Sequence, residues 1–258
     1  MELLVAYQDD PAGHNIAKFI AKGMEKDGEL YRGKQYDLAI ISTPTISADW
    51  LEEKYHYDGF VFLSKHAAES GVLALTCHST GNFSEAKFGG KNRQIAIPHP
   101  HLQKKYIQAL WKNKNNFSDF QITIEATHHG PTNLNKPALF IEIGTNEKQW
   151  KDTDLCNSIA KIVMDVVQSK RPVFPVALCF GGTHYPEKFT LELINGEHAL
   201  GTVIPKHSLD FLDEELFSHI LERNKTAKTA FLDWGGMGQN KQKVLDFIGK
   251  TDLEVIKL

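Results

Sequence analysis

Four segments of the 258-residue chain place imidazole, carboxylate or paired glycines just beyond short apolar runs. VLALTCHSTGN delivers His78 and Thr80, ITIEATHHGP delivers Glu125, His128 and His129, FIEIGTNEKQW delivers Glu142 and Thr145, and VALCFGGTHYP delivers Gly181, Gly182, Thr183 and His184. Neutral imidazole ligates zinc and titrates near neutral pH, which suits both metal-assisted hydrolysis and general-base work. A carboxylate between Ile124 and Ala126, or between Ile141 and Ile143, is costly to bury unless it is paired, protonated or metal-bound. The competing reading of each glutamate is a strand face open to solvent or to a structural cation. For each histidine it is a hydrogen-bonded structural side chain.

Strand periodicity constrains these groups. Thr123, Glu125 and Thr127 face one way and Ile122, Ile124 and Ala126 the other. If the strand continues, His128 and His129 point apart, and His129 shares the side of Glu125. Gly181 and Gly182 let backbone N–H groups approach an oxyanion or phosphate, or else make a plain strand-to-helix turn before Pro186. HExxH, GxGxxG, GxxxxGKS and GxSxG are all absent, and no cysteine sits in a nucleophile motif. Activated water is therefore the expected attacking group. The loop NFSEAKFGGKNRQ (82–94) interleaves Lys87, Lys91 and Arg93 with Phe83 and Phe88. That mixture suits a phosphate backbone and an unstacked base, or an ordinary solvated loop.

Bulk properties bound the choice. Lys and Arg number 29 against 32 Asp and Glu, so no global basic field advertises nucleic acid and any RNA contact must be local. Cys77, Cys156 and Cys179 are odd in number and far apart, which argues against a disulfide framework and fits a reducing cytoplasm. The start, MELLVAYQDD, lacks the pattern of a signal peptide, and no run approaches the roughly 18 to 20 apolar residues of a membrane span.

The elements that must position the candidates follow from hydrophobic period. Strand-length apolar runs cover 3–7, 37–42, 59–64, 72–76, 94–97, 121–127, 138–144, 173–180, 229–233 and 253–258. Helical spacing covers 14–26, 101–112, 153–168 and 208–222. This alternation predicts an α/β fold, a mostly parallel mixed sheet with helices on both faces. The expectation is one domain, 1–258, with functional loops at about 81–94 and 112–119.

Taken together, SKHAAESGVLALTCHSTGN (64–82), FGG (88–90), EATHHGP (125–131), PALFIEIGTNEKQW (137–150) and GGTHYPEKFT (181–190) resemble the D-aminoacyl-tRNA deacylases of the archaeal and plant type. The resemblance spans most of the chain in the expected order, with Lys65 and Thr145 departing conservatively from the family's usual Arg and Ser. It implies a peptidyl-tRNA-hydrolase/phosphorylase-like core, a monomer, zinc, and hydrolysis of the ester joining a D-amino acid to the 3′ end of tRNA. The expected roles are then zinc held by some subset of His78, His128, Glu142 and His184, and Glu125 or His129 handling the proton. Gly181 and Gly182 are expected to offer N–H donors to the oxyanion, with Lys65, His66 and Thr183 against the substrate. Lys87, Lys91 and Arg93 are expected to hold the acceptor stem. A related zinc carboxypeptidase or peptidyl-tRNA hydrolase, or a tRNA-end binding protein without turnover, are the rival expectations.

Overall fold

The computed structural model describes residues 1–68, 71–170 and 172–258. Its first part contains β1 (Glu2–Tyr7), α1 (Pro11–Ile20), β2 (Glu25–Asp27), β3 (Leu30–Arg32), β4 (Tyr36–Ile41), α2 (Leu51–Lys54), β5 (Gly59–Ala67) and β6 (Ala74–His78). Next come β7 (Gly81–Asn82), β8 (Gln94–Ile95), α3 (Pro100–Lys112), β9 (Gln121–Ile124), β10 (Ala138–Thr145), α4 (Glu147–Trp150) and α5 (Thr153–Gln168). The last part contains β11 (Val176–Phe180), α6 (Glu187–Asn195), β12 (Ala199–Ile204), α7 (Glu214–Arg223), β13 (Ala227–Leu232), α8 (Lys241–Ile248) and β14 (Glu254–Lys257). Glu69 and Ser70 of the motif 64–82 lie outside the described residues.

The fold is mixed α/β, and its strands form two principal sheets where one was expected. Eight strands run in the order β2-β3-β4-β1-β5-β10-β6-β9, parallel through the centre, with β6 antiparallel to β10. Four more form a separate parallel sheet, β12-β11-β13-β14. Alternation in β5 and β10 explains why two-sided burial makes these strands almost continuously apolar. Val61, Leu63, Leu139 and Ile141 face a core filled by α1, α3, α5 and α6, into which Cys179 and Leu200 of the second sheet also pack. Phe60, Phe62, Ala138 and Phe140 face the other way, against Ala48, Leu51 and Leu134. The second sheet turns Leu178, Phe180 and Leu232 toward α7 and α8.

Several boundaries moved for identifiable reasons. Helix α1 starts at Pro11, earlier than expected, because Asp10 caps it by accepting from the Gly13 amide at 2.8 Å. It ends at Ile20, and residues 25 and 26, expected as helix, belong to β2. The expected helix 208–222 divides into a 3-10 turn, Lys206–Phe211, and α7, which Asp213 caps at Leu216 N. No helix among the described residues is long and apolar enough to cross a membrane.

Candidate functional site

Register explains how distant residues meet. Glu142 pairs with Ser64 on one side and Thr76 on the other, Gly144 pairs with His66, and Phe140 pairs with His78. The two-residue period therefore sets His66, His78 and Glu142 on the face that carries Phe62 and Phe140. Thr76 pairs with Thr123 in β9, so Glu125, two residues on, comes out on the same face. Strands β6 and β9 run against β10, and their carboxyl ends consequently lie beside its first half, near Phe140.

The strand does not continue to His129. β9 stops at Ile124, the Ala126 amide donates to His184 O at 2.8 Å, and the Thr127 amide donates to Val203 O at 3.0 Å. This segment thus bridges the two sheets. His129 has φ +44°, a left-handed conformation uncommon for a residue with a side chain, and parity no longer applies. His128, not His129, has the ring nitrogen near Glu125: its Nε2 lies 3.6 Å from Glu125 Oε2. Both histidines nevertheless line one cavity. Thr80 Oγ1 donates to Pro131 O at 2.6 Å and the Gly81 amide donates to His129 O at 2.8 Å, which brings the loop after β6 against EATHHGP.

Three imidazoles stand together over an apolar floor. His78 stacks on Phe140 with ring centroids 5.3 Å apart, His129 meets the same ring edge-on at 4.8 Å, and His78 and His128 are 4.1 Å apart. Each Nδ1 contacts a backbone carbonyl: His78 at Ser79 O (3.1 Å), His128 at Ala126 O (2.8 Å) and His129 at Gly130 O (2.6 Å). A carbonyl only accepts, so Nδ1 carries the proton in all three rings and Nε2 keeps its lone pair. Burial pushes each ring toward the neutral form, well below the ordinary value at His78 and down to about 3 at His129.

A charged trio adjoins them. His66 Nδ1 lies 3.2 Å from Glu125 Oε1 and 3.3 Å from Glu142 Oε2, and its Nε2 lies 2.5 Å from the Tyr185 hydroxyl. Burial alone would lower the His66 pKa, but the two carboxylates overcome it and raise it to about 10. Burial pushes Glu142 up to about 8, against the pull of His66. At Glu125, burial is outweighed by His184, whose Nε2 sits 2.8 Å from Oε2, and by His66, so this carboxyl stays well below its usual range. Near neutral pH the trio therefore reads imidazolium, carboxylate and carboxylic acid, with one positive charge matching one negative.

The candidate metal ligands do not form a single quartet. His78, His128 and His129 offer ligating atoms within 4.8 Å of one another, as do Glu125, His128 and His184, and again His66, Glu125 and Glu142. Glu125, expected to move protons, belongs to two of these groups, and His66, expected against the substrate, is buried between the carboxylates. Tyr7, Asp9, Ile46, Lys65 and Phe88 help to wall the cavity, of about 570 Å³. The Lys65 ammonium lies 5.0 Å from the centre of the Trp150 ring.

Other expectations need correction. Gly181 N–H donates to Ile204 O at 2.9 Å and Gly182 N–H to Gly236 O at 3.2 Å, so neither is available to an oxyanion. The Thr183 hydroxyl is turned to Tyr185 O at 2.8 Å. Arg93 is held by both oxygens of Asp213, at 2.6 and 2.7 Å, which removes it from the free basic charges of the loop. Phe83 is core, whereas Phe88 is 68% exposed at the cavity mouth; Lys87 and Lys91 remain exposed. Sequence reasoning missed Tyr185 and Asp10. Asp10 Oδ2 accepts from Ser64 Oγ (3.1 Å) and Lys65 N (3.0 Å), steadying the end of β5 beside His66. Its position just past the apolar run of β1, ahead of Pro11, was a usable signal.

Comparison with known proteins gives the family. The profile of the D-aminoacyl-tRNA deacylase family matches residues 53–256. A D-aminoacyl-tRNA deacylase of Cenarchaeum symbiosum (strain A) is 54% identical over 256 residues, covering 99% of each chain. One of Archaeoglobus fulgidus is 33% identical over 268 residues, covering 100% of this chain and 96% of its own. A crystal structure titled as a conserved protein of unknown function superposes with a TM-score of 0.93 at 28% identity, covering 100% of this chain and 95% of the other. The chain belongs to the D-aminoacyl-tRNA deacylase family.

Proposed function

We propose that this chain hydrolyses the ester bond joining a D-amino acid to the 3′ end of tRNA, releasing free D-amino acid and tRNA. The observation that carries the reading is the state of the three imidazoles. His78, His128 and His129 each give Nδ1–H to a backbone carbonyl, are kept neutral by burial, and gather over Phe140. That is how ligating histidines are oriented by their surroundings. A buried atom beside them, His78 Nε2, has no hydrogen-bond partner among the described residues, an arrangement expensive to keep without a ligand. The residues fit zinc, with His78, His128 and His129 the set that would hold it and Glu125, His128 and His184 the alternative. Zinc bound there would supply Lewis acidity and make water more acidic.

The remaining chemistry belongs to the chain. Glu125, ionised between His66 and His184, takes a proton as water attacks the ester carbonyl. The carbon–oxygen bond to ribose then breaks, and the ribose oxygen regains a proton from the same carboxyl. His66, between Glu125 and Glu142, holds both carboxyls in place through its Nδ1. Tyr185 fixes the far side of the His66 ring. An ester needs less help at the leaving group than an amide, which accords with one proton-transfer residue.

The reading takes residues 1–258 as one domain acting as a single chain in the cytoplasm. The Glu125–His129 segment hydrogen-bonds to both sheets, which supports one domain. The test is release of amino acid from matched D- and L-tyrosyl-tRNA and from an N-acetylated D-tyrosyl-tRNA, with and without chelator. Faster hydrolysis of the D ester, lost on chelation and regained with zinc, is expected. Full activity in the chelated protein sinks the metal assignment, preference for the N-acetylated substrate favours a peptidyl-tRNA hydrolase, and binding without turnover sinks the reaction itself.

A further inference from the structure

The smaller sheet has a topology that makes a binding crevice. All its strands are parallel, and the chain leaves β11 for β12 on one side, then crosses to β13 on the other. Connections departing in opposite directions leave a gap at the carboxyl ends of the strands, where open α/β sheets receive ligands. Here that gap holds a groove of about 520 Å³, bounded by Gly182 after β11, Lys206 and His207 after β12, and Gly238 in the turn before α8. Gly182 and Gly238 have φ of +82° and +60°, conformations that favour glycine. An added Cβ at Gly238 would come within 2.8 Å of the Lys206 side chain, so the lysine stem lies directly on this backbone.

Two features connect the groove to the reaction. His184 lines both the groove and the catalytic cavity, and its ring is therefore the wall the two spaces share. Lys206 and His207 are exposed, and among the described residues neither the Lys206 ammonium nor the His207 ring has a hydrogen bond or ion pair. Arg93, on the loop expected to hold RNA, is bound to Asp213. The nearby carboxylates are already engaged: Asp210 Oδ1 accepts from Asn240 Nδ2 at 2.9 Å, and Asp233 pairs with Lys188 at 2.9 Å.

We propose that this groove receives the single-stranded acceptor end of the substrate, with Lys206, flanked by His207, meeting a phosphodiester while the terminal ester passes His184 into the catalytic cavity. The proposal rests on the deacylase reading and adds the path of the polynucleotide. It moves the principal phosphate contact from the 82–94 loop to the carboxyl edge of the second sheet. Most of the binding there is electrostatic and tolerant of sequence, as expected where phosphate rather than base edges is met.

The test compares kcat/KM for D-tyrosyl-tRNA with that for 3′-O-D-tyrosyladenosine, which has no phosphate, in the wild type, Lys206→Ala, Lys206→Glu and Lys206→Arg. The ratio of tRNA to nucleoside is expected to fall roughly tenfold in Lys206→Ala through KM, further in Lys206→Glu, and to recover in Lys206→Arg. The slope of log KM against log salt should drop by about 0.7, the value for one phosphate contact on a single strand. Binding of a short single-stranded RNA with the acceptor-end sequence, read by fluorescence anisotropy, should weaken in parallel. An unchanged ratio, or equal losses on both substrates, in variants that melt like the wild type overturns the groove assignment while leaving the deacylase reading intact. Failure of the wild type to hydrolyse either substrate overturns the deacylase reading, and the proposal with it.

Discussion

Two of the protein's buried carboxylate sites are treated differently. Asp37, at the start of β4, is fully partnered. Oδ1 accepts from Gly33 N at 2.9 Å, and Oδ2 accepts from Arg32 at 2.7 Å and from the Tyr57 hydroxyl at 2.5 Å. Glu125 and Glu142 are equally buried, yet they share one imidazole, His66, the neighbouring His78 Nε2 has no hydrogen-bond partner among the described residues, and Glu142 is pushed up to about 8, chiefly by burial. A satisfied network locks a hairpin to a sheet; an unsatisfied one holds groups in readiness at a cost in stability. Burial alone therefore does not mark function.

The sharpest way to break this contrast is Glu125→Gln. The rate of D-aminoacyl-tRNA hydrolysis should fall about 10² to 10⁴-fold, the range for removing a general base. The melting temperature should fall as well, because the amide leaves the buried His66 imidazolium without its matching charge. An unchanged rate per folded molecule would put Glu125 in the class of Asp37. Lys104 is the next test. It is buried, and its ammonium donates to Leu193 O, Gly196 O and His198 O at 2.9 to 3.0 Å, closing the end of α6. Lys104→Met should cost about 3 kcal/mol in denaturant unfolding, since several carbonyls lose their donor together. Turnover per folded molecule should change little.

These contrasts were unevenly legible in the sequence. Glu125 and Glu142 stood out because a carboxylate between branched apolar residues needs an explanation, and α5 was legible to the residue because its apolar stripe is unbroken. His66 was expected only against the substrate; its pairing with two carboxylates depends on the register of β5, β10 and β9, which no local pattern carries. Strand β12 escaped notice because Gly201 and Thr202 interrupt its apolar run. Gly201 is required there, since an added Cβ would meet Asn224 Oδ1 at 2.3 Å, and that oxygen accepts from the Thr202 amide at 3.0 Å. The parity argument for His129 failed for a related reason: the sheet ended at Ile124, where hydrogen bonds to His184 O and Val203 O took over.

Acid sharpens the comparison at Asp37 itself. Burial would raise this carboxyl, but Tyr57, Gly33 and Arg32 together hold it below the ordinary value. A carboxyl depressed in the folded state contributes stability above its unfolded pKa of about 3.9, and that contribution is lost as pH falls through the folded value. Asp37→Asn should therefore cost about 2 kcal/mol at pH 7 and progressively less below pH 4, measured by urea unfolding across pH. A cost independent of pH down to the acid limit would show that packing, not charge, anchors the hairpin.

The smallest effect is expected at Arg93, where sequence placed an RNA contact and structure places an ion pair. Its guanidinium grips Asp213, whose side chain also caps α7, but both partners are substantially exposed. Water and salt screen such pairs, so Arg93→Ala should cost under about 1 kcal/mol. If Arg93 serves the fold alone, KM for D-tyrosyl-tRNA should change less than about twofold, the counterpart in rate of a few tenths of a kcal/mol. A KM rise approaching that of Lys206→Ala would mean the guanidinium exchanges Asp213 for phosphate when substrate binds. The 82–94 loop would then share the acceptor end with the groove, and its paired charge would have to be counted among those available to RNA.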